Sequence, residues 1–172
     1  GRQFGSLPAG YDHKYVYSHV GYNLKLTDMR AAVGLAQLDK LDGFVAARRH
    51  NFQRFYDGLA DAQEAYLLPE ATPNSEPSWF GFPLSVRPEG PLRRDAVVRE
   101  LEQHGVATRL LFAGNLTRQP YMTGRNYRIA GTLGNADRIM NNTFWLGIWP
   151  GLGDNELDHV AERLATFCNP SF

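Results

Sequence analysis

The sequence has 172 residues, enough for one domain with a proper core, or one domain plus an arm. Eighteen basic and eighteen acidic residues give a formal net charge of zero, which removes any polyelectrolyte argument for nucleic acid or an anionic membrane. Cys168 is the only cysteine, so no disulfide can close within the chain and no cysteine-ligated metal or iron–sulfur site can be made from it alone. No apolar run approaches membrane-spanning length and no signal peptide opens the sequence, so a soluble, cytoplasmic protein is the default expectation. Only Lys14, Lys25 and Lys40 are lysines; the other basic residues are arginines, which favour fixed, planar contacts with anions.

The opening, Gly1 to Gly10, has neither a helical nor a strand period and lacks an initiator Met. It reads as a chain entered in the middle, a C-terminal fragment. From Tyr11 to Val20, Tyr15, Tyr17 and His19 alternate with Val16, Ser18 and Val20, which suits an extended strand. Such a strand either donates hydrogen bonds to a sugar or phosphate, with Tyr17 and His19 as candidates, or packs its aromatics at an interface. Metal binding by His13 and His19 is not expected, because no acidic or thiol partner stands at ligand spacing.

The segment from Gly21 to Leu38 changes character at Thr27, where polar loop gives way to an Ala/Leu/Met-rich helical pattern. Thr27 is suited to cap that helix, and Asp28 follows where negative charge complements the helix dipole. Asn23 and Lys25 place an amide and an ammonium just before a helix N-terminus, a place to meet an anion, although a solvated turn has the same composition. Apolar residues continue at helical spacing from Met29 to Leu41, Gly43 interrupts, and a second stretch runs from Phe44 to about Ala62. Arg48, Arg49 and His50 on that stretch read as a solvated face rather than an anion site.

Pro69, Pro73 and Pro77 mark a breaker-rich connection. A strand is predicted from Trp79 to Val86, with Pro83 arguing for an edge or a bulge. A helix follows from about Arg93 to His104, with Gly105 as its stop. Val106 to Phe112 reads as a buried strand carrying the single charge of Arg109, which would then need a partner. The polar loop after it contains Asn115, Thr117 and Arg118. With Arg109, these form a candidate clamp for a diphosphate or a sugar rim, though a structural salt bridge for Arg109 explains the charge as well. Residues 124–128 read as surface loop, Ala136 to Asn142 as a short helix and Thr143 to Trp149 as a strand. Pro150 and Gly151 make a turn, and Asp154 is placed to cap a last helix with Leu157, Val160, Ala161, Leu164 and Phe167 on one stripe. Cys168, at the end of that stripe, reads as a small buried hydrophobe. Beyond residue 76 the order is strand, helix, strand, helix, strand, helix, which predicts a small α/β domain: a sheet covered by helices behind a long connecting helix.

Gly-Tyr-Asn-x-Lys-x-Thr-Asp at 21–28, followed by Ala-Ala-x-Gly-Leu-x-Gln-Leu at 31–38, resembles the signature of the DegT/DnrJ/EryC1/StrS sugar aminotransferase family, which has the aspartate-aminotransferase fold. The resemblance implies pyridoxal or pyridoxamine phosphate acting on nucleotide-linked keto-sugars in a homodimer. It gives Asn23 the cofactor phosphate of the partner subunit, with Lys25 nearby. It also implies three parts: an arm at 1–28 leading from a large cofactor domain, a helical connection at 29–66, and a small C-terminal domain at 67–172.

Longer strings narrow the resemblance. Gly10 to Tyr15, Tyr17 to His19, Pro77 to Pro83, Thr108 to Pro120, Asp137 to Asn141 and Phe144 to Gly147 are similar to the branch of CDP-4-keto-6-deoxyglucose 3-dehydrases of dideoxysugar and lipopolysaccharide biosynthesis. That branch implies loss of the C3 hydroxyl of the keto-sugar on pyridoxamine phosphate. A histidine is the base where aminotransferases carry a lysine, and electrons come from a separate flavin/iron–sulfur reductase. The base, and the cysteines of a possible [2Fe-2S] cluster, are expected upstream of Gly1. None of His13, His19, His50, His104 or His159 stands in the family's catalytic motif, so no catalytic residue is expected within this sequence. The equivalent part of a nucleotide-sugar aminotransferase, or a non-catalytic binding or dimerisation module, are the competing readings.

Overall fold

Thr27 ends the first loop as its side chain suggests: extended backbone places its hydroxyl oxygen to accept from the amide of Arg30 at 3.4 Å. In this computed structural model, which describes residues 24–112 and 114–168, helix α1 then runs Asp28–Leu38. The readings on Tyr17, His19 and Asn23 lie outside the described residues. The chain divides into two units, Gly1–Asp39 and Lys40–Phe172. In the first, α1 buries none of its residues, and Met29, Val33, Leu35 and Leu38 are all exposed.

The second unit holds the hydrophobic core. Helix α2 (Leu41–Gly58) begins it, so the helical region breaks at Asp39 and Lys40 rather than at Gly43. Gly43 sits in the first turns of α2 with open space around it, where a glycine costs only about 1 kcal/mol and does not end a helix. A 3-10 turn (Ala60–Ala62) leads into a two-residue strand β1 (Tyr66–Leu67), which is too short to leave a pattern in sequence. Strand β2 (Gly81–Val86), helix α3 (Arg94–Gln103), strand β3 (Thr108–Leu110), helix α4 (Gly134–Asn142), strand β4 (Thr143–Gly147) and helix α5 (Asp154–Thr166) follow in the expected alternation.

The four strands form one antiparallel sheet in the order β1-β2-β4-β3. Because side chains alternate along a strand, the register sorts the sheet into two faces. Phe82 and Leu84 on β2 pair with Leu146 and Phe144 on β4. All four are buried with Phe55 of α2, Val97 and Leu101 of α3, and Leu157 and Leu164 of α5. The rings of Phe55 and Phe82 meet edge-on at 5.5 Å, joining helix layer to sheet. Pro83 lies on the opposite face, and β1 pairs only with Ser85 and Val86. The missing amide of Pro83 therefore falls where β2 has no neighbour on the β1 side, which is how an inner strand tolerates it.

Three local expectations are corrected. Val106–Phe112 is not a buried strand: β3 covers only Thr108–Leu110 at the sheet edge, with Arg109 and Leu110 exposed. Its start is consumed by the end of α3, where Gly105 (φ +78°) turns left-handed and the amide of Val106 reaches back to the carbonyl of Leu101 at 2.9 Å. Its end is consumed by Phe112, itself at φ +47°. Asp154 is the first residue of α5 rather than its cap, a position held by Gly153, and its carboxylate pairs instead with α2. Cys168 is exposed, one turn past the buried Leu164; partial burial raises its thiol pKa. No helix among the described residues is long and apolar enough to cross a membrane.

Candidate functional site

The face of the sheet turned away from the core helices is where the unspent chemistry lies. On it the register aligns Arg109 of β3 with Trp145 of β4 and Pro83 of β2 in one row. The next row pairs Gly81 with Gly147 and so carries no side chain. Trp145 lies down into that gap: a Cβ added to Gly81 would come within 2.3 Å of the indole. The indole N–H donates to the carbonyl of Leu110 at 3.2 Å, and the ring of Phe80 stands 5.3 Å from it, tilted by 51°. Phe80 is 69% exposed and carries the guanidinium of Arg48 at 5.6 Å from its centroid. Arg109 is exposed, and its side chain has no hydrogen bond or ion pair to a described residue.

The loop after β3 is held differently. Asn115 is buried, and both ends of its amide are engaged. Its oxygen accepts from the amide and hydroxyl of Thr117, at 3.1 and 2.7 Å, while its nitrogen donates to Asp137 of α4 at 2.7 Å. Arg118 forks onto both oxygens of the same Asp137. The hydrogen bonds from Arg118 and then from Asn115 lower the Asp137 pKa to about 2, and Arg118 is raised in return. Asn115 and Arg118 are thus brought together, around Asp137 rather than around an open space, and Arg109 belongs to the sheet face. Asp137 was not singled out from sequence; its spacing from Asn115, 22 residues across loop and turns, carries no periodic signal.

Arg48, Arg49 and His50 lie on a largely solvated face, as expected, with Arg49 and His50 exposed, and each is also tethered by a polar contact. Arg48 donates to the carbonyl of Trp79 at 3.3 Å, Arg49 to that of Glu76 at 2.6 Å, and His50 Nε2 lies 2.9 Å from Asp154. They tie α2 to the approach to β2 and to the start of α5. In the first unit Lys25 is exposed two residues ahead of the Thr27 cap. An ammonium beside the amide-rich end of a helix is a donor set that suits a phosphate. No group of three or more His, Cys, Asp or Glu able to hold a metal ion occurs among the described residues.

Residues 2–165 match the family model described as the DegT/DnrJ/EryC1/StrS aminotransferase family. The chain is 52% identical over 172 residues to the lipopolysaccharide biosynthesis protein RfbH of Salmonella typhimurium, covering 100% of this chain and 39% of that protein. It is 49% identical over 163 residues to the dTDP-4-dehydro-2,6-dideoxy-D-glucose 3-dehydratase of Saccharopolyspora spinosa, covering 95% and 35%. Among solved structures, it superposes with TM-score 0.79 and 26% identity on GDP-4-keto-6-deoxymannose-3-dehydratase with a trapped PLP-glutamate geminal diamine, covering 90% of this chain and 39% of that one. The fold is that of pyridoxal-phosphate-dependent aminotransferase-type proteins. The chain spans well under half the length of the curated relatives it matches.

Proposed function

The chain belongs to the DegT/DnrJ/EryC1/StrS aminotransferase family, and on that premise we propose that it is the C-terminal part of a pyridoxamine-phosphate-dependent nucleotide-sugar 3-dehydrase. The reaction is removal of the C3 hydroxyl of CDP-4-keto-6-deoxyglucose in dideoxysugar and lipopolysaccharide biosynthesis. The observation that carries this reading is 49% identity to a protein named as a 3-dehydratase, sustained over 163 residues. The full-length protein is a homodimer served by a separate reductase. Residues 1–28 lead from its cofactor domain, 29–66 connect, and 67–172 form its small domain.

The bound cofactor supplies an electron sink for breaking the C3–O bond. The residues of this chain bind and orient. Lys25 would meet the cofactor phosphate ahead of α1, beside Asn23, which serves the partner subunit's cofactor. Tyr17 and His19 are assigned to hydrogen-bond the sugar. Of the two arginines, Arg109 takes the nucleotide phosphates, because its guanidinium is exposed and uncommitted whereas Arg118 is forked onto Asp137. Asn115 holds Asp137 and Thr117, and so shapes the loop rather than touching substrate.

The test is to supply the full-length protein with pyridoxamine phosphate and CDP-4-keto-6-deoxyglucose and follow the sugar by mass spectrometry. Loss of one water from C3, trapped as the 3-deoxy sugar on adding a reductase, is expected. Transfer of an amino group to C4 from glutamate would instead make it an aminotransferase. Neither reaction, in a folded protein, would make it a non-catalytic module. Replacing Asn23 with Ala in the same protein is expected to weaken cofactor retention; unchanged retention would remove that assignment.

A further inference from the structure

Trp145 is fixed on three sides, and the fourth is open. Gly81 beneath it leaves room for the indole to lie flat on the sheet, Phe80 closes one edge at 5.3 Å, and the N–H is tethered to Leu110. A purely structural ring pair would be buried, yet Phe80 is 69% exposed and Trp145 is only half-buried. A Cβ on Gly147, beside the indole in the same glycine row, would meet nothing within 4 Å, so the flank of the platform is empty space. Arg109 is the direct cross-strand neighbour of Trp145, which places the two Cβ atoms about 5 Å apart on one face. Arg48, over Phe80, adds a second positive charge at the other end.

A rigid indole plane walled on one side by a tilted phenyl ring, with cations at both ends, matches a ligand that is planar at one end and anionic at the other. We propose that Trp145 and Phe80 form the stacking platform for the base of a nucleoside diphosphate, with Arg109 receiving its phosphates. This rests on the reading of the protein as a nucleotide-sugar enzyme and names which residues of this chain recognise the nucleotide. Aromatic stacking favours any base face, so the platform supplies affinity, while discrimination among bases comes from whatever edges the rest of the site presents.

The experiment is calorimetric titration of the full-length holoenzyme with CDP, and with inorganic diphosphate as a probe lacking a base. Phe80→Ala and Trp145→Ala are expected to weaken CDP binding roughly tenfold or more while leaving diphosphate unchanged. Trp145→Phe should retain most of the affinity. Arg109→Gln should weaken both ligands and flatten the dependence of CDP binding on salt. Because Trp145→Ala also empties space over Gly81, Phe80→Ala, at an exposed ring, decides the matter if that variant does not fold. CDP binding unchanged in Phe80→Ala, and in Trp145→Ala where that variant folds, with dehydration activity intact, overturns the platform and leaves the proposed reaction standing. A parent protein that binds no nucleoside diphosphate overturns both.

Discussion

Gly81 is a glycine because an indole occupies the place of its side chain. Adding a methyl there sets a Cβ 2.3 Å from the Trp145 ring and 2.9 Å from the Leu146 carbonyl, and neither the ring, tethered to Leu110, nor the backbone can yield cheaply. Gly81→Ala is therefore expected to cost about 1–3 kcal/mol in denaturant unfolding, the range of an overpacked site, and to shift Trp145 fluorescence. Native emission and stability in that variant would show the indole free to move. At Asp137 the same scale yields a pH effect. Its folded pKa of about 2 lies below the ordinary carboxylate value of 3.8, with Arg118 as the larger cause and Asn115 the smaller. A depressed pKa contributes stability that is complete above the unfolded value and is lost as pH falls toward the folded one. Between about pH 4 and pH 2, Asp137→Asn should unfold with a shallower acid dependence than the parent; parallel curves would mean the pair does not contribute.

Helix α3 ends because Gly105 can take φ +78°, closing a 6→1 bond from Val106 to Leu101 and a 5→2 bond from Gly105 to Glu102. Nothing lies within 4 Å of a Cβ there, so Gly105→Ala isolates the backbone cost of a left-handed residue, about 1 kcal/mol by thermal unfolding. Gly114, at φ +60°, would in addition press a Cβ to 2.6 Å of Met140, so Gly114→Ala should cost clearly more; equal costs would deny that the loop is packed on α4. This stop signal was legible in sequence, as were the α3 and α5 stripes, because 3.6-residue spacing and a terminal glycine are local properties. Strand β3 was misjudged for the converse reason. Val106, Leu110, Leu111 and Phe112 are apolar whether they face a core or an open edge, and only the pairing order shows that β3 has a neighbour on one side. The row of Arg109, Trp145 and Pro83 was likewise invisible, since it is assembled from three strands by register alone. Arg109 was singled out as an unusual charge on the premise of burial, and the exposed setting reverses what that charge is free to do.

At the scale of the chain, every buried hydrophobic residue among those described lies between Phe55 and Leu164, within the unit Lys40–Phe172. That unit is also clasped from end to end. Arg54 of α2 forks onto Asp158 of α5 at 2.7 Å and reaches Asp154 at 3.0 Å, and its hydrogen bonds hold the Asp158 pKa below the ordinary range. Asn51, buried on the same helix, donates to the carbonyl of Trp149 at 2.9 Å. The turn after β4 and the last helix are thus closed onto α2 by polar contacts around an apolar centre, the arrangement of a self-sufficient folding unit. In the unit Gly1–Asp39, residues 24–39 hold no buried side chain, and Leu24, Leu26, Met29, Val33, Leu35 and Leu38 are all exposed. A chain trimmed to residues 40–172 should therefore unfold cooperatively within a few degrees of the parent and be the more soluble of the two, because removing the N-terminal residues removes that exposed apolar surface. The check is calorimetry beside light scattering at matched concentration. A trimmed chain that melts much earlier, or without a cooperative transition, would mean that α1 supplies stability to the second unit.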